Sequence, residues 1–173
     1  MGRRHTKAQL HAVCDKLRER IPEICLRTTL ITGFPGETEE EFQEMCEFIQ
    51  EVQFDRLGVF AYSQEEDTPA ALMKNQIDEE EKQRRKDLLM QLQQEISLDL
   101  NSEKVGRELT VMVEGKSVDE DVYVCRTSAD APDVDSYLFL NTGMQLMSGD
   151  FIRARVTEAG EYDLIGVPAD EEY

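Results

Sequence analysis

The run Thr29-Leu30-Ile31-Thr32-Gly33-Phe34-Pro35-Gly36-Glu37-Thr38 is where this sequence comes closest to offering a site for a ligand. A glycine at a strand end carries no Cβ, so the backbone there can approach a bound group closely. Thr38 and Glu41 stand three apart, the spacing of a capping box, so a helix starts there and leaves amide donors at its end. The run lacks the Gly-Lys-Ser/Thr of a P-loop and the G-x-G-x-x-G of a dinucleotide fold. On local physics alone, a tight strand-to-helix turn explains it as well as a binding site does.

A second candidate is Val59-Phe60-Ala61-Tyr62-Ser63, at the C-terminal end of the next predicted strand. Parallel α/β sheets bind ligands at that end. Packing of Tyr62 at the rim of such a sheet is the alternative. No nucleophile–base pair stands out, and no residue is assigned a catalytic role. Glu39, Glu40 and Glu41 suit the first turn of a helix, where the dipole favours negative charge. Cys14, Cys25, Cys46 and Cys125 form no C-x-x-C pair, and His5 and His11 are isolated, so no metal ligands are assigned.

The elements that must position these residues follow from periodicity. Lys7 to Arg20 reads as a helix with Leu10, Val13, Cys14 and Leu17 at helical spacing, stopped by Pro22. Ile24 to Thr32 reads as a strand, the capped segment after Thr38 as a helix, and Leu57 to Ala61 as a second strand. Helix, strand, helix, strand argues for parallel α/β structure. Two strands cannot close a barrel, so residues 1–77 read as the last part of a larger α/β domain. Leu26, Leu30, Leu57 and Val59 are expected to form an apolar face that it leaves open. Residues 78–103 read as one connecting helix, roughly 35–40 Å long at 1.5 Å per residue. From 104 to 168 five short strands, near 109–114, 122–126, 137–140, 151–156 and 162–167, suggest a small β-barrel. Residues 169–173 are an acidic tail.

Charge narrows the partners. The chain of 173 residues carries 19 Lys plus Arg against 37 Asp plus Glu, a net charge of −18. That field repels phosphates and attracts basic partners. Residues 104–173 hold 6 basic and 15 acidic side chains, a net of −9, whereas an RNA-reading module should be basic. No nucleic-acid or membrane partner is expected. With no apolar run long enough to span a bilayer and no signal-peptide core, the cytoplasm is the expected compartment.

Arg27-Thr28-Thr29 followed by Gly33-Phe34-Pro35-Gly36-Glu37-Thr38 resembles the radical-SAM methylthiotransferases. Tyr62-Ser63-Gln64-Glu65-Glu66-Asp67-Thr68-Pro69-Ala70-Ala71 is similar to the segment after the last part of their barrel, and Met1-x-Arg3-Arg4 to that before their penultimate helix. Residues 104–168 resemble a TRAM domain, which is OB-like. Within the family, Cys125-Arg126-Thr127-Ser128-Ala129-Asp130-Ala131-Pro132-Asp133-Val134-Asp135 resembles the branch of RimO type, which modifies an aspartate of a small-subunit ribosomal protein. The implied fold is the C-terminal part of a (βα) radical-SAM partial TIM-like barrel, a long helix and a five-stranded OB-like β-barrel.

The resemblance implies S-adenosylmethionine contacts at Thr29, Gly33, Gly36, Glu37, Phe60 and Tyr62. It also implies two 4Fe-4S clusters in the full-length enzyme. The C-x-x-x-C-x-x-C motif that holds one of them is absent here, so the chain alone is expected to be inactive and to carry no cluster. The partner is expected to be a basic small-subunit ribosomal protein, held by Asp130, Asp133 and Asp135. A fragment of the tRNA-adenosine-modifying branch and a non-catalytic protein-binding module are the alternatives.

Overall fold

The computed structural model describes residues 4–118 and 120–170. Met1 to Arg3, Asp119 and the tail from Glu171 lie outside the described residues, so most of the expected Met1-x-Arg3-Arg4 segment and of the acidic tail does too. The chain forms two compact units, one up to Ile96 and one from Ser97.

In the first unit, α1 (Lys7–Arg20) starts at a capping box between Thr6 and Gln9. Leu10, Val13 and Leu17, the expected apolar stripe, are exposed, and Cys14 alone of that set packs against the core. Arg18 compensates at the helix's far end. Its guanidinium donates to the carbonyls of Val52 and Gln53 at the C-terminus of the next helix, where orphan acceptors and the dipole favour a cation.

The first strand, β1, runs Arg27–Thr32, three residues shorter than expected from Ile24. The amide of Ile24 bonds back to Ile21 in a turn, and the amide of Leu26 donates to the Asp55 carboxylate at 2.8 Å. Those donors never reach the ladder, so apolar and β-branched composition overstated the strand. Helix α2 (Glu39–Val52) follows, then β2 (Arg56–Ala61), parallel to β1 with Thr29 opposite Gly58, Ile31 opposite Phe60 and Thr32 opposite Ala61.

The core of this unit comprises Leu26, Phe42, Ile49, Val52, Phe54, Val59 and Leu89, with Leu30 and Leu57 packed at its edge. This corrects the expected open apolar face. Leu26, Leu30, Leu57 and Val59 do not face solvent, because α2 and α3 (Glu79–Ser102) supply Phe42, Ile49 and Leu89 to cover them. The uncovered face belongs to the alternate residues, among them Arg27, Thr29, Ile31 and Phe60.

The second unit is a closed barrel. Its strands are β3 (Glu108–Lys116), β4 (Tyr123–Thr127), β5 (Leu138–Leu140), β6 (Phe151–Ala159) and β7 (Leu164–Pro168), in the order β3-β4-β5-β7-β6. All pairs are antiparallel except β5 with β7. Alternate residues fill the interior: Val111, Val113, Tyr123, Cys125, Leu138, Leu140, Ala154, Val156 and Leu164. Register shifts between Val113 and Gly115 and between Val156 and Glu158 bend the strands toward closure. Gly166 is required by space, since a Cβ there would meet the Arg155 carbonyl oxygen at 2.8 Å. The phenol of Tyr123 accepts from the Leu146 amide at 3.1 Å and donates to the Met144 carbonyl at 3.2 Å, tying the loop before β6 to the barrel. Asn101, buried at the end of α3, donates to the carbonyls of Gly160 and Tyr162 at 3.1 and 3.2 Å. Among the described residues no helix is long and apolar enough to cross a membrane.

Candidate ligand site at the ends of the parallel strands

The two parallel strands end side by side, and the ladder continues one step beyond them, from the Tyr62 amide to the Thr32 carbonyl at 2.9 Å. The chain then leaves β1 through Gly33 and Gly36, with φ of 73° and 87°. Both lie in the left-handed region that glycine adopts without steric cost. The amide of Gly36 is held by the Asn75 carbonyl at 2.8 Å. Thr38 closes the turn by capping α2: its hydroxyl accepts from the Glu41 amide at 3.2 Å, and the Glu41 carboxylate accepts from the Thr38 amide at 3.0 Å.

Glu37 organises this turn from within. Its Oε1 accepts from the Gly33 amide at 3.0 Å, the Thr32 hydroxyl at 3.1 Å and Arg85 Nη1 at 2.7 Å. The side chain is only 9% exposed, and that of Arg85 only 7%. Arg85 also donates to Glu81 at 2.7 Å and Glu39 at 3.1 Å, and its guanidinium lies 5.2 Å from the Phe42 ring centre. Burial opposes the charge on Arg85, but bonds to Glu37 and Glu81 outweigh it and its pKa lies above the ordinary value. Hydrogen bonds from Arg84 and then Arg85 pull the Glu81 carboxyl down to about 2. Glu81 and Arg85 are therefore both charged at neutral pH and stay paired across the physiological range.

At the end of β2, Tyr62 packs edge-on against Phe34 with ring centres 5.2 Å apart. Lys82, 2% exposed, lies over the Tyr62 ring at 5.3 Å and pairs with Glu79 at 2.5 Å. Its stem occupies the space that a Cβ on Gly33 would need. The Tyr62 hydroxyl is buried and has no hydrogen-bond partner among the described residues.

The structure divides the six residues expected to contact a cofactor into two groups. Thr29 and Phe60 lie on the uncovered sheet face, beside the bare backbone of Gly58. Phe60 is 61% exposed there and Ile31 40%. Gly33, Gly36, Glu37 and Tyr62 form the turn and strand end, held from behind by α3. Lys82 and Arg85 were not legible as site residues. They sit in a charged stretch of a long helix, and nothing local announces a partner 48 positions away.

The three aspartates of the second unit are not equivalent. Asp130 is 8% exposed, and its Oδ2 accepts from the Thr127 amide at 3.0 Å and hydroxyl at 2.6 Å. Asp135 accepts from the Ala131 amide at 2.7 Å. Both shape their own loop. Asp133, exposed and with φ of 57°, stands at its tip.

Cys14, Cys25, Cys46 and Cys125 are free thiols, and among the described residues no three His, Cys, Asp or Glu side chains group as metal ligands. The donor set of this chain therefore does not fit an iron–sulfur cluster.

Comparison with known proteins agrees with this architecture. Residues 105–168 match the family model of the TRAM domain. The chain is 52% identical over 166 residues to a protein of Lachnoclostridium phytofermentans named ribosomal protein uS12 methylthiotransferase RimO, covering 96% of this chain and 38% of that one. Proteins of the same name from Clostridioides difficile and Clostridium botulinum are 45% and 48% identical, over 96% and 99% of this chain. The chain spans well under half the length of these relatives, 37–38% of each. Along nearly all of its length, this chain is similar to the C-terminal part of proteins named as RimO methylthiotransferases, and residues 105–168 match a TRAM domain.

Proposed function

We propose that this chain is the C-terminal portion of a SAM-dependent methylthiotransferase that modifies an aspartate of a small-subunit ribosomal protein. The carrying observation is the pair of parallel strands that end together at a glycine turn while one sheet face stays uncovered. That is the arrangement expected of the last strands of a radical-SAM barrel, whose ligands bind at the C-terminal strand ends. The names of the relatives support the activity and the partner.

The strand-end residues suit S-adenosylmethionine, which supplies the methyl group and the radical-forming part of the transfer when bound. Thr29 offers a hydroxyl, Phe60 an exposed aromatic face and Gly58 a backbone that a ligand can approach. Gly33 and Gly36 shape the turn, and Tyr62 brings a buried phenol with unused hydrogen-bonding capacity. The clusters do not fit this chain's cysteines.

The acidic barrel recognises the basic protein substrate. Its net charge disfavours phosphates and favours a cationic partner, so the tRNA-modifying alternative is the weaker reading. Asp133 is the aspartate positioned to meet the substrate, while Asp130 and Asp135 hold the loop that presents it.

Titrating the 173-residue chain with S-adenosylmethionine and separately with the basic ribosomal protein, by calorimetry and amide NMR, tests both halves. Binding should perturb Thr29, Gly33, Phe60 and Tyr62 in the first case and the 127–135 loop in the second. Tight tRNA binding with no response to the protein would reverse the assignment of the barrel.

A further inference from the structure

The contacts around Glu37 bear on how the ligand turn is held, given that it binds S-adenosylmethionine as proposed. Glu37 stands in the glycine turn where a ligand contact is expected, yet its Oε1 is occupied by three donors belonging to the protein. One of these donors, the Gly33 amide, belongs to the turn itself. Another, Arg85, belongs to α3 and is buried with it. From the same helix, Lys82 fills the space behind Gly33 and lies over Tyr62, so one helical turn backs both strand ends.

We propose that Arg85, acting through Glu37, sets the conformation of the Gly33 turn, so that Glu37 and Arg85 are positioning residues of the ligand site and not ligand contacts. The chemistry follows from the donor inventory. A guanidinium has no acceptor and a rigid fork of donors. Arg85 aims that fork at Glu37 with one nitrogen and at Glu39 with another, on either side of the helix cap Thr38. The fork holds the Glu37 oxygen at one place, and that oxygen in turn fixes the Gly33 amide and the Thr32 hydroxyl. A lysine at position 85 could supply charge but not the planar fork. A methionine could supply volume alone. The left-handed φ of Gly33 then persists because its amide has a fixed acceptor and its Cα is backed by Lys82. The binding surface is left to Thr29, Phe60, Tyr62 and the turn backbone.

The test uses the full 173-residue chain and S-adenosylmethionine as the probe, with amide NMR of Gly33 as a readout that needs no ligand. In the wild type the Gly33 amide should be shifted downfield and protected from exchange. R85M should move that resonance toward its unstructured position, remove its protection and weaken S-adenosylmethionine binding about tenfold. R85K should recover part of both effects. E37Q, which keeps an acceptor in place, is the milder second variant and covers the case in which R85M does not fold. It should keep Gly33 protected and weaken binding no more than about threefold. Ile49→Val, in the core away from the turn, should lower the melting temperature and leave the Gly33 resonance and the affinity unchanged. An unaltered Gly33 amide in R85M overturns the proposal, as does equal loss of affinity in I49V. Failure of the wild type to bind the probe removes the cofactor reading alone, and the Gly33 amide still decides whether Arg85 sets the turn.

Discussion

Glu37 offers a graded test of how the turn is held. In E37A the Gly33 amide and the Thr32 hydroxyl lose their acceptor, and Arg85 Nη1 keeps only the Glu37 main-chain carbonyl at 3.3 Å. Removing one partner of a buried ion pair costs about 3–5 kcal/mol. Arg85 keeps Glu81 and Glu39, so the lower end, about 3 kcal/mol, is expected here. E37Q retains an acceptor for the two neutral donors and loses only the charge facing Arg85. The difference between a charged and a neutral hydrogen bond is about 1 kcal/mol, which sets its expected cost. Urea unfolding followed by far-UV circular dichroism measures both, with the midpoint moving and the slope unchanged. A buried pair is little screened, so the ordering should survive high salt. If E37A costs less than E37Q, or both cost nothing, the turn is held by Pro35 and the capping box and not by Glu37.

The two glycines of the turn should respond differently to alanine. G33A meets both a left-handed backbone and the Lys82 stem and should lose about 2–4 kcal/mol, whereas G36A meets open space and should lose about 1–2 kcal/mol, by the same unfolding assay. Burial, with a smaller contribution from Glu114, pushes the Cys125 thiol up to about 12. It should resist alkylation at pH 8 until the barrel unfolds. Its unfolded-state value is near 9.0, so above that pH the unfolded chain releases a proton that the folded barrel retains. Stability should then fall as pH rises, by about 1.4 kcal/mol at pH 10, and C125A should remove that part of the slope. In the second unit, D133N should slow association with the basic ribosomal protein and reduce its salt dependence while leaving the melting temperature unchanged. D130N should instead loosen the loop, seen as lost protection of the Thr127 amide.

The sequence made the order of elements legible, and where it misled the cause was a tertiary partner. The existence of α1 and of the five barrel strands is legible, and in β3 alternating Val111 and Val113 mark one buried face, but the stripe Leu10, Val13 and Leu17 that announces α1 stays exposed. The start of β1 could not be read, because the Leu26 amide is taken by Asp55, 29 positions away. The apolar face built from Leu26, Leu30, Leu57 and Val59 is buried by helices that the residues themselves do not point to. At the site, Gly33, Gly36 and Thr38 announce their turn through local chemistry. Lys82 and Arg85 do not, since a buried cation and a solvated one look alike in a charged helix. The aspartate loop shows the same limit: three similar residues, two of them turned inward to bond their own backbone.

The amide of Asn101 has a consequence for where this barrel can be cut. It donates to the Gly160 and Tyr162 carbonyls of the β6–β7 turn, just beyond the last ladder pair Ala159–Leu164. The family match begins at residue 105, after this side chain. A barrel excised or grafted at that boundary would present the turn's carbonyls to solvent and lose the clasp that joins its last hairpin to its first segment. Transplanting the module between relatives therefore requires the final helical turn to travel with it, and a graft that starts at 105 should fray at residues 160–163 first.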